Sequence, residues 1–292
     1  MSTSTAVRPI FTFGIEIEIL VKPKKDTDVY PRLIASHFDP ALQPGHGVDE
    51  VKAERNRTAI RRVLAGAMTN FGIETSIAGN NYEIWDVKRE GSLNEVADAR
   101  GGGYWAIELV SRILSTDNPG WAKEVNDVFE TVWNYFDVQL TKGCSMHVHV
   151  APKPKWEMSS LRDIMKATGV FDDAITKIMP ASRKANPWAR SNFRDGPEPT
   201  DKAQPALKKA FDEVPSKAWG PLFALFDSVK MRQAILLTWG QDRNVSWNLA
   251  PLSQCGTIEF RRPPGVRTAV DAQKWATFAV AFVCAATATQ SD

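Results

Sequence analysis

Three short segments constrain the fold most, because each alternates apolar and polar or ionisable residues with a period of two. They are Gly14-Ile15-Glu16-Ile17-Glu18-Ile19, Ser145-Met146-His147-Val148-His149-Val150 and Thr257-Ile258-Glu259-Phe260-Arg261. Side chains two apart on a strand share a face, so each segment predicts a strand with an apolar face and a face carrying a polar pair. Glu16 and Glu18 would stand roughly 7 Å apart, where two negative charges repel by about 2 kcal/mol at an effective dielectric of 20. A covered face holding such a pair needs cations; a solvated outer face does not. His147 and His149 are half of the chain's four histidines. They can bind a metal, divide between a metal and a phosphate, or simply be satisfied by backbone partners. Glu259 and Arg261 can form an ordinary same-face ion pair, or hold a metal and grip a phosphate bidentately.

Weaker signals point the same way. Glu108 is a carboxylate in the otherwise apolar Ala106-Ile107-Glu108-Leu109-Val110, and Arg112 on the same face is a possible structural partner. Glu90-Gly91-Ser92 follows a predicted strand and reads equally well as a solvated turn. Arg243 and Asn248 flank a segment that could bring a further cation to the same place. Together Glu16, Glu18, Glu108 and Glu259 carry four negative charges, with His147 and His149 as neutral ligands. Hard oxygen ligands favour Mg²⁺ or Mn²⁺ over zinc. A ligase that activates a carboxylate as an acyl phosphate needs metal ions on the phosphates and arginines on the transferring group.

Between these segments the pattern predicts strands at Ile10–Val21, Tyr82–Lys88 and Tyr104–Leu114, the last two separated by Gly101-Gly102-Gly103. Further strands are expected at Ser145–Val150, Val245–Ala250 and Thr257–Arg261. Helices are expected at Val51–Asn70 (mostly charged and on the surface), Pro119–Phe136, Leu161–Met179, Leu222–Leu237 and from Thr268 onward. Pro119 suits the first turn of its helix. Tyr30–Gly47 reads as a loop, and seven prolines between Pro180 and Pro221 mark a long irregular excursion. Strands dispersed among helices, without regular βαβ alternation, indicate an α+β fold with a largely antiparallel sheet in a single domain over residues 1–292.

Net charge is +2, with both signs interleaved, which argues against a nucleic-acid partner. Cys144, Cys255 and Cys284 are scattered and form no paired motif, which suits a reducing compartment. Met1–Pro9 has no apolar signal core. The uncharged run Trp275–Thr289 is shorter than the roughly 20 residues of a membrane span. A soluble, cytoplasmic protein without a membrane partner is expected.

The ordered set of motifs resembles the amidoligases of the glutamine synthetase and glutamate–cysteine ligase superfamily. It runs through Phe13-Gly14-Ile15-Glu16-Ile17-Glu18, Glu90-Gly91-Ser92-Leu93, Glu108-Leu109-Val110-Ser111 and Met146-His147-Val148-His149. Ser182-Arg183, Arg243 through Leu249 and Gly256-Thr257-Ile258-Glu259-Phe260-Arg261 complete it. The resemblance implies a glutamine-synthetase-like catalytic domain with ATP and Mg²⁺ or Mn²⁺ as cofactors, and small-molecule carboxylate and amine substrates. It implies that Glu16, Glu18, Glu108, His147 and Glu259 hold metal and that His149 contacts nucleotide. Arg261 would contact the phosphate or acyl phosphate, Arg243 and Arg183 would serve the phosphate and substrate sites, and Glu90 is a further catalytic candidate. Two departures stand out: Glu90 replaces the usual aspartate, and Cys144-Ser145-Met146 replaces the commoner Cys-Gly-x.

Other readings fit the same residues. His147-Val148-His149, followed after ten residues by Ser160-Leu161-Arg162-Asp163, imitates a zinc isopeptidase pattern. Val148 stands where those enzymes carry Ser or Thr, and Ser160 also suits a helix N-cap. A guanidino-type phosphotransferase on the same fold and a non-catalytic nucleotide-binding relative are the remaining alternatives.

Overall fold

Phe11–Pro23 (β1) is the spine of one open sheet. The computed structural model describes residues 9–45, 48–79, 82–93, 102–184, 186–192, 219–230 and 243–288. On one edge β1 pairs with Trp105–Val110 (β4) and Leu114–Ser115 (β5). On the other it pairs with Met146–Pro152 (β7) and Phe136–Gln139 (β6). Trp85–Arg89 (β3) and Thr75–Ser76 (β2) extend the sheet beyond β4; Ile258–Phe260 (β9) and Trp247–Asn248 (β8) extend it beyond β7. All pairings are antiparallel except β2 with β3. The fold is therefore α+β with a mixed, mostly antiparallel sheet.

Period-two alternation decides which face is covered. Ile15 stands in register with Val148, Val148 with Phe260, and Phe260 with Trp247; all four are essentially buried. Trp247 stacks on Phe282 of the last helix, Ala269–Ala288 (α7), with ring centroids 4.7 Å apart. Phe260 lies 5.5 Å from Phe278 of the same helix. Helix Trp121–Tyr135 (α3) packs beside α7 and against β6, and Glu50–Asn70 (α2) packs on α3 and over β2–β4. Met158–Ile178 (α4) lies on α7, with Gly220–Ser228 (α6) against it. Fully burying one such aliphatic or aromatic side chain contributes about 1.5–3 kcal/mol. Driving this row inward turns Glu16, Glu18, His147, His149 and Glu259 to the opposite face.

Several expectations change. Tyr30–Gly47 is not all loop: Val29–Ala35 (α1) is helical, with Val29 and Leu33 buried, and Pro31 fits its first turn because an N–H there lacks a helical partner. His46 and Gly47 lie outside the described residues. Helix α2 is half-buried rather than a surface helix, since Ala53, Ile60, Leu64 and Met68 form an inward stripe between its charges. Arg57 is also buried there, its guanidinium 5.7 Å from the Trp105 ring. The strand expected over Tyr104–Leu114 is broken at Ser111, whose hydroxyl accepts the Ile15 N–H at 2.9 Å. Pro119 precedes α3, which Gly120 caps. Ser160 lies inside α4, because Glu157 occupies the cap position. The strand expected at Val245–Ala250 shrinks to β8, and Ala250 opens a short 3-10 turn.

Of the Pro-rich excursion, Ala181–Lys184 (α5) is helical and Pro221 sits in the first turn of α6; residues 193–218 lie outside the described residues. So do Gly101 and residues 231–242, which include the end of the helix expected to reach Leu237. No helix among the described residues is long and apolar enough to cross a membrane.

Candidate metal centre

Sheet register assembles the site from segments far apart in sequence. Glu18 stands opposite Glu108, Glu16 opposite His147, and Gly14 opposite His149. His149 in turn stands opposite Glu259, and Glu259 opposite Asn248. Two groups of potential ligand atoms result, each within 4.8 Å of one another: Glu16–His147–Glu259 and Glu18–Glu108–His147. His147 Nδ1 lies 3.1 Å from Glu16 Oε2 and 3.4 Å from Glu259 Oε1; its Nε2 lies 3.7 Å from Glu18 Oε1. His149 Nε2 is 3.4 Å from Glu16 Oε1, and its Nδ1 is 2.9 Å from Thr257 Oγ1. All five carboxylate and histidine residues expected to hold metal are thus adjacent.

The electrostatics show a cluster short of positive charge. Burial raises the Glu108 carboxyl to about 9, and the charges of Glu16, Glu90 and Glu18 add to that rise. Burial likewise raises Glu18, against the opposing charge of His147. Burial also disfavours the charged forms of Glu16 and His149, but their mutual attraction and hydrogen bonding outweigh it. Glu16 is held well below the usual carboxylate range and His149 well above the usual imidazole range. Oxygen-rich surroundings that force a carboxyl to keep its proton fit a hard divalent cation, which Glu16, His147 and Glu259 or Glu18 and Glu108 would hold.

A prediction follows for Glu108. Between its ordinary value of 4.5 and its raised value of about 9, the unfolded chain sheds a proton that the folded chain keeps. Its contribution to stability therefore falls as pH rises through that window. In chelator, Glu108→Gln should melt above the parent by a margin that widens from pH 6 to pH 8, while Mn²⁺ affinity drops. A margin that narrows with pH would show that Glu108 is not under this strain.

Arg261 Nη1 donates to Glu259 Oε1 at 2.5 Å, and Asn248 Nδ2 donates to Glu259 Oε2 at 2.6 Å. The same-strand ion pair is therefore real, and Arg261 sits at the cluster's edge. Arg183 is 2% exposed, its guanidinium donating to the main-chain carbonyls of Arg261 at 2.7 Å and Arg262 at 3.1 Å. It supports the chain that carries Arg261. Arg112 is not the partner of Glu108: it donates to Glu124 through Nε and Nη2, at 2.9 and 2.6 Å. Glu90 is half-buried and close enough to Glu18 and Glu108 to raise both, while Arg243 is exposed ahead of β8. On α4, Asp163 lies 3.8 Å from Lys166; neither it nor Ser160 enters either ligand group among the described residues.

Sequence reasoning missed Ser145 as a member of the cluster, although its place two residues before His147 on the same strand face was the available signal. It also missed Thr257 and Cys255. With Thr12, Gly14, Tyr82 and Ser111 they line a cavity of about 120 Å³ beside His149.

A family model described as "Putative amidoligase enzyme" matches residues 9–283, and the chain belongs to that family. Comparison with curated proteins and with solved structures finds no match.

Proposed function

We propose that this amidoligase is an ATP-dependent carboxylate–amine ligase, its 292 residues forming one glutamine-synthetase-like domain. The observation that carries the reading is the convergence of Glu16, Glu18, Glu108 and Glu259 on His147 across four strands of one sheet face. A divalent cation, Mg²⁺ or Mn²⁺, would supply charge neutralisation for the phosphates of ATP. The resemblance to enzymes that use acyl phosphates supports the order of events. A carboxylate oxygen of the acid attacks the γ-phosphorus and ADP leaves; the amine then attacks the acyl carbon and phosphate leaves with the transferred oxygen.

In this reading the carboxylates and His147 organise the polyphosphate end. His149 faces the nucleotide beside the adjoining cavity. Arg261, released from Glu259, offers its planar fork to the phosphoryl group in flight, where a fixed donor stabilises developing charge. Arg183 keeps the Arg261 main chain in place, and Glu90 and Arg243 are candidates for the substrate side. The partners are a small-molecule acid and amine, without nucleic acid or membrane.

The test is a screen of acid and amine pairs for substrate-dependent release of ADP and phosphate. A productive acid should also form a hydroxamate when hydroxylamine replaces the amine. Stoichiometric AMP and pyrophosphate would sink the mechanism. A phosphorylated guanidino product, with no amide formed, would place the chain with the phosphotransferases.

A further inference from the structure

Lys88 shares the polar face of the sheet with the cluster. Register places it directly across from Glu108, which in turn stands across from Glu18. Side chains so opposed start about 5 Å apart at Cβ, so an ion pair between Lys88 and Glu108 is within easy reach. Lys88 does not form it, and among the described residues it makes no ion pair with any carboxylate. Its ammonium lies instead on the Tyr82 side, 5.7 Å from the ring centroid. An aromatic face attracts an ammonium without neutralising it, so the charge stays available to a ligand. Burial raises the carboxyls of both Glu108 and Asp86, and the charge of Lys88 opposes each rise, which places the cation near two acids that it leaves unpaired. Tyr82 is exposed, takes a φ of 61° that few residues with a side chain adopt, and lines the cavity beside His149. That cavity meets the metal centre along the row Asp86–Val110–Glu16: Val110 and Glu16 line it, and Asp86 stands across from Val110. A ligand seated in the cavity and reaching the Glu18–Glu108 group therefore passes the Lys88 ammonium.

We propose that Lys88 binds the phosphate chain of the nucleotide where that chain crosses from the cavity to the metal centre, with Tyr82 as the platform that keeps the ammonium free for this contact. Lys88 on β3 and Arg261 just after β9 flank the cluster from opposite ends of the sheet. Arg261 faces the phosphoryl group in flight, and Lys88, on the cavity side, faces the part of the nucleotide that stays behind. This inference rests on the nucleotide reading above and gives that site a cation outside every motif of the resemblance.

The experiment measures, by calorimetry, how the parent, Lys88→Met and Lys88→Arg bind the magnesium complexes of ADP and of adenylyl imidodiphosphate, an ATP analogue that is not hydrolysed. Methionine keeps the apolar stem and removes the charge. Mn²⁺ affinity without nucleotide, read by electron paramagnetic resonance, reports on the centre itself. Lys88→Met should bind one or both nucleotides about 10- to 100-fold more weakly, the usual range for losing a hydrogen bond to a charged group. Lys88→Arg should recover most of that loss. Mn²⁺ should bind Lys88→Met at least as tightly as the parent, because a positive charge beside Glu108 has gone. A parent that binds both nucleotides, with Lys88→Met binding them equally well, would overturn this assignment alone. So would a fall in nucleotide affinity matched by an equal fall for Mn²⁺, which marks structural damage, or a raised KM for a productive acid at unchanged nucleotide affinity, which gives Lys88 to the acid. A parent that binds neither nucleotide would overturn the nucleotide reading and the assignment with it. Should Lys88→Met misfold, Lys88→Gln gives the same comparison.

Discussion

Glu18→Gln and His147→Ala should each abolish turnover while the protein stays folded. His147 is shared by both ligand groups, and Glu18 holds one side of the cluster. A cation at such a site supplies several kcal/mol of charge stabilisation, and each 1.36 kcal/mol is tenfold in rate. A fall on the order of 100-fold or more is therefore expected. The fold should survive because its core lies on the other face of the sheet, in the row from Ile15 to Trp247. Burial opposes the Glu18 charge, so neutralising it relieves a strain, and a glutamine carbonyl can still accept the Ser145 donors. ADP release read beside thermal unfolding checks both halves. Stoichiometric zinc in the purified protein, with peptidase activity that survives chelation, would favour the isopeptidase reading instead.

Arg261 separates ligase chemistry from nucleotide binding. Its guanidinium is held at the edge of the cluster by Glu259 Oε1, and Arg183 braces its carbonyl from behind. If it stabilises the charge that develops as phosphate moves, Arg261→Ala should lose about 100-fold or more in turnover, the usual effect of removing one such donor. Arg261→Lys keeps the charge but loses the fork, so it should remain severely impaired. Nucleotide affinity, measured by calorimetry, should weaken far less in either variant. Near-normal turnover by Arg261→Ala would leave the pair as a plain ion bridge in the sheet.

Most of the centre was legible because strand alternation is a local signal: the parity of Glu16, Glu18, His147, His149, Glu259 and Arg261 follows from their own neighbours. That Glu108 joins Glu18 and not Arg112 depends on the register of β1 with β4, which no local pattern states. The hydrogen bonds of Arg183 are hidden in the sequence for a related reason. Its guanidinium is taken by two main-chain carbonyls across 78 and 79 residues, a use that composition does not reveal. Helix α2 reads as a surface helix because four alanines, Ala53, Ala59, Ala65 and Ala67, make up much of its buried face, and their weak hydropathy is masked by the charges between them. Ser145 stands where the resembling enzymes commonly carry glycine, and its contacts with Glu18 and His147 follow only from the folded geometry.

The most direct test of the central claim follows one oxygen atom. A productive acid labelled with ¹⁸O in both carboxylate positions is turned over with ATP, Mg²⁺ and the amine, and the products are separated for mass spectrometry. An acyl phosphate intermediate requires the oxygen that attacked phosphorus to leave on inorganic phosphate. The account predicts one ¹⁸O per phosphate, one retained in the amide and none in ADP. Label in AMP, or unlabelled phosphate released alongside amide, would contradict it.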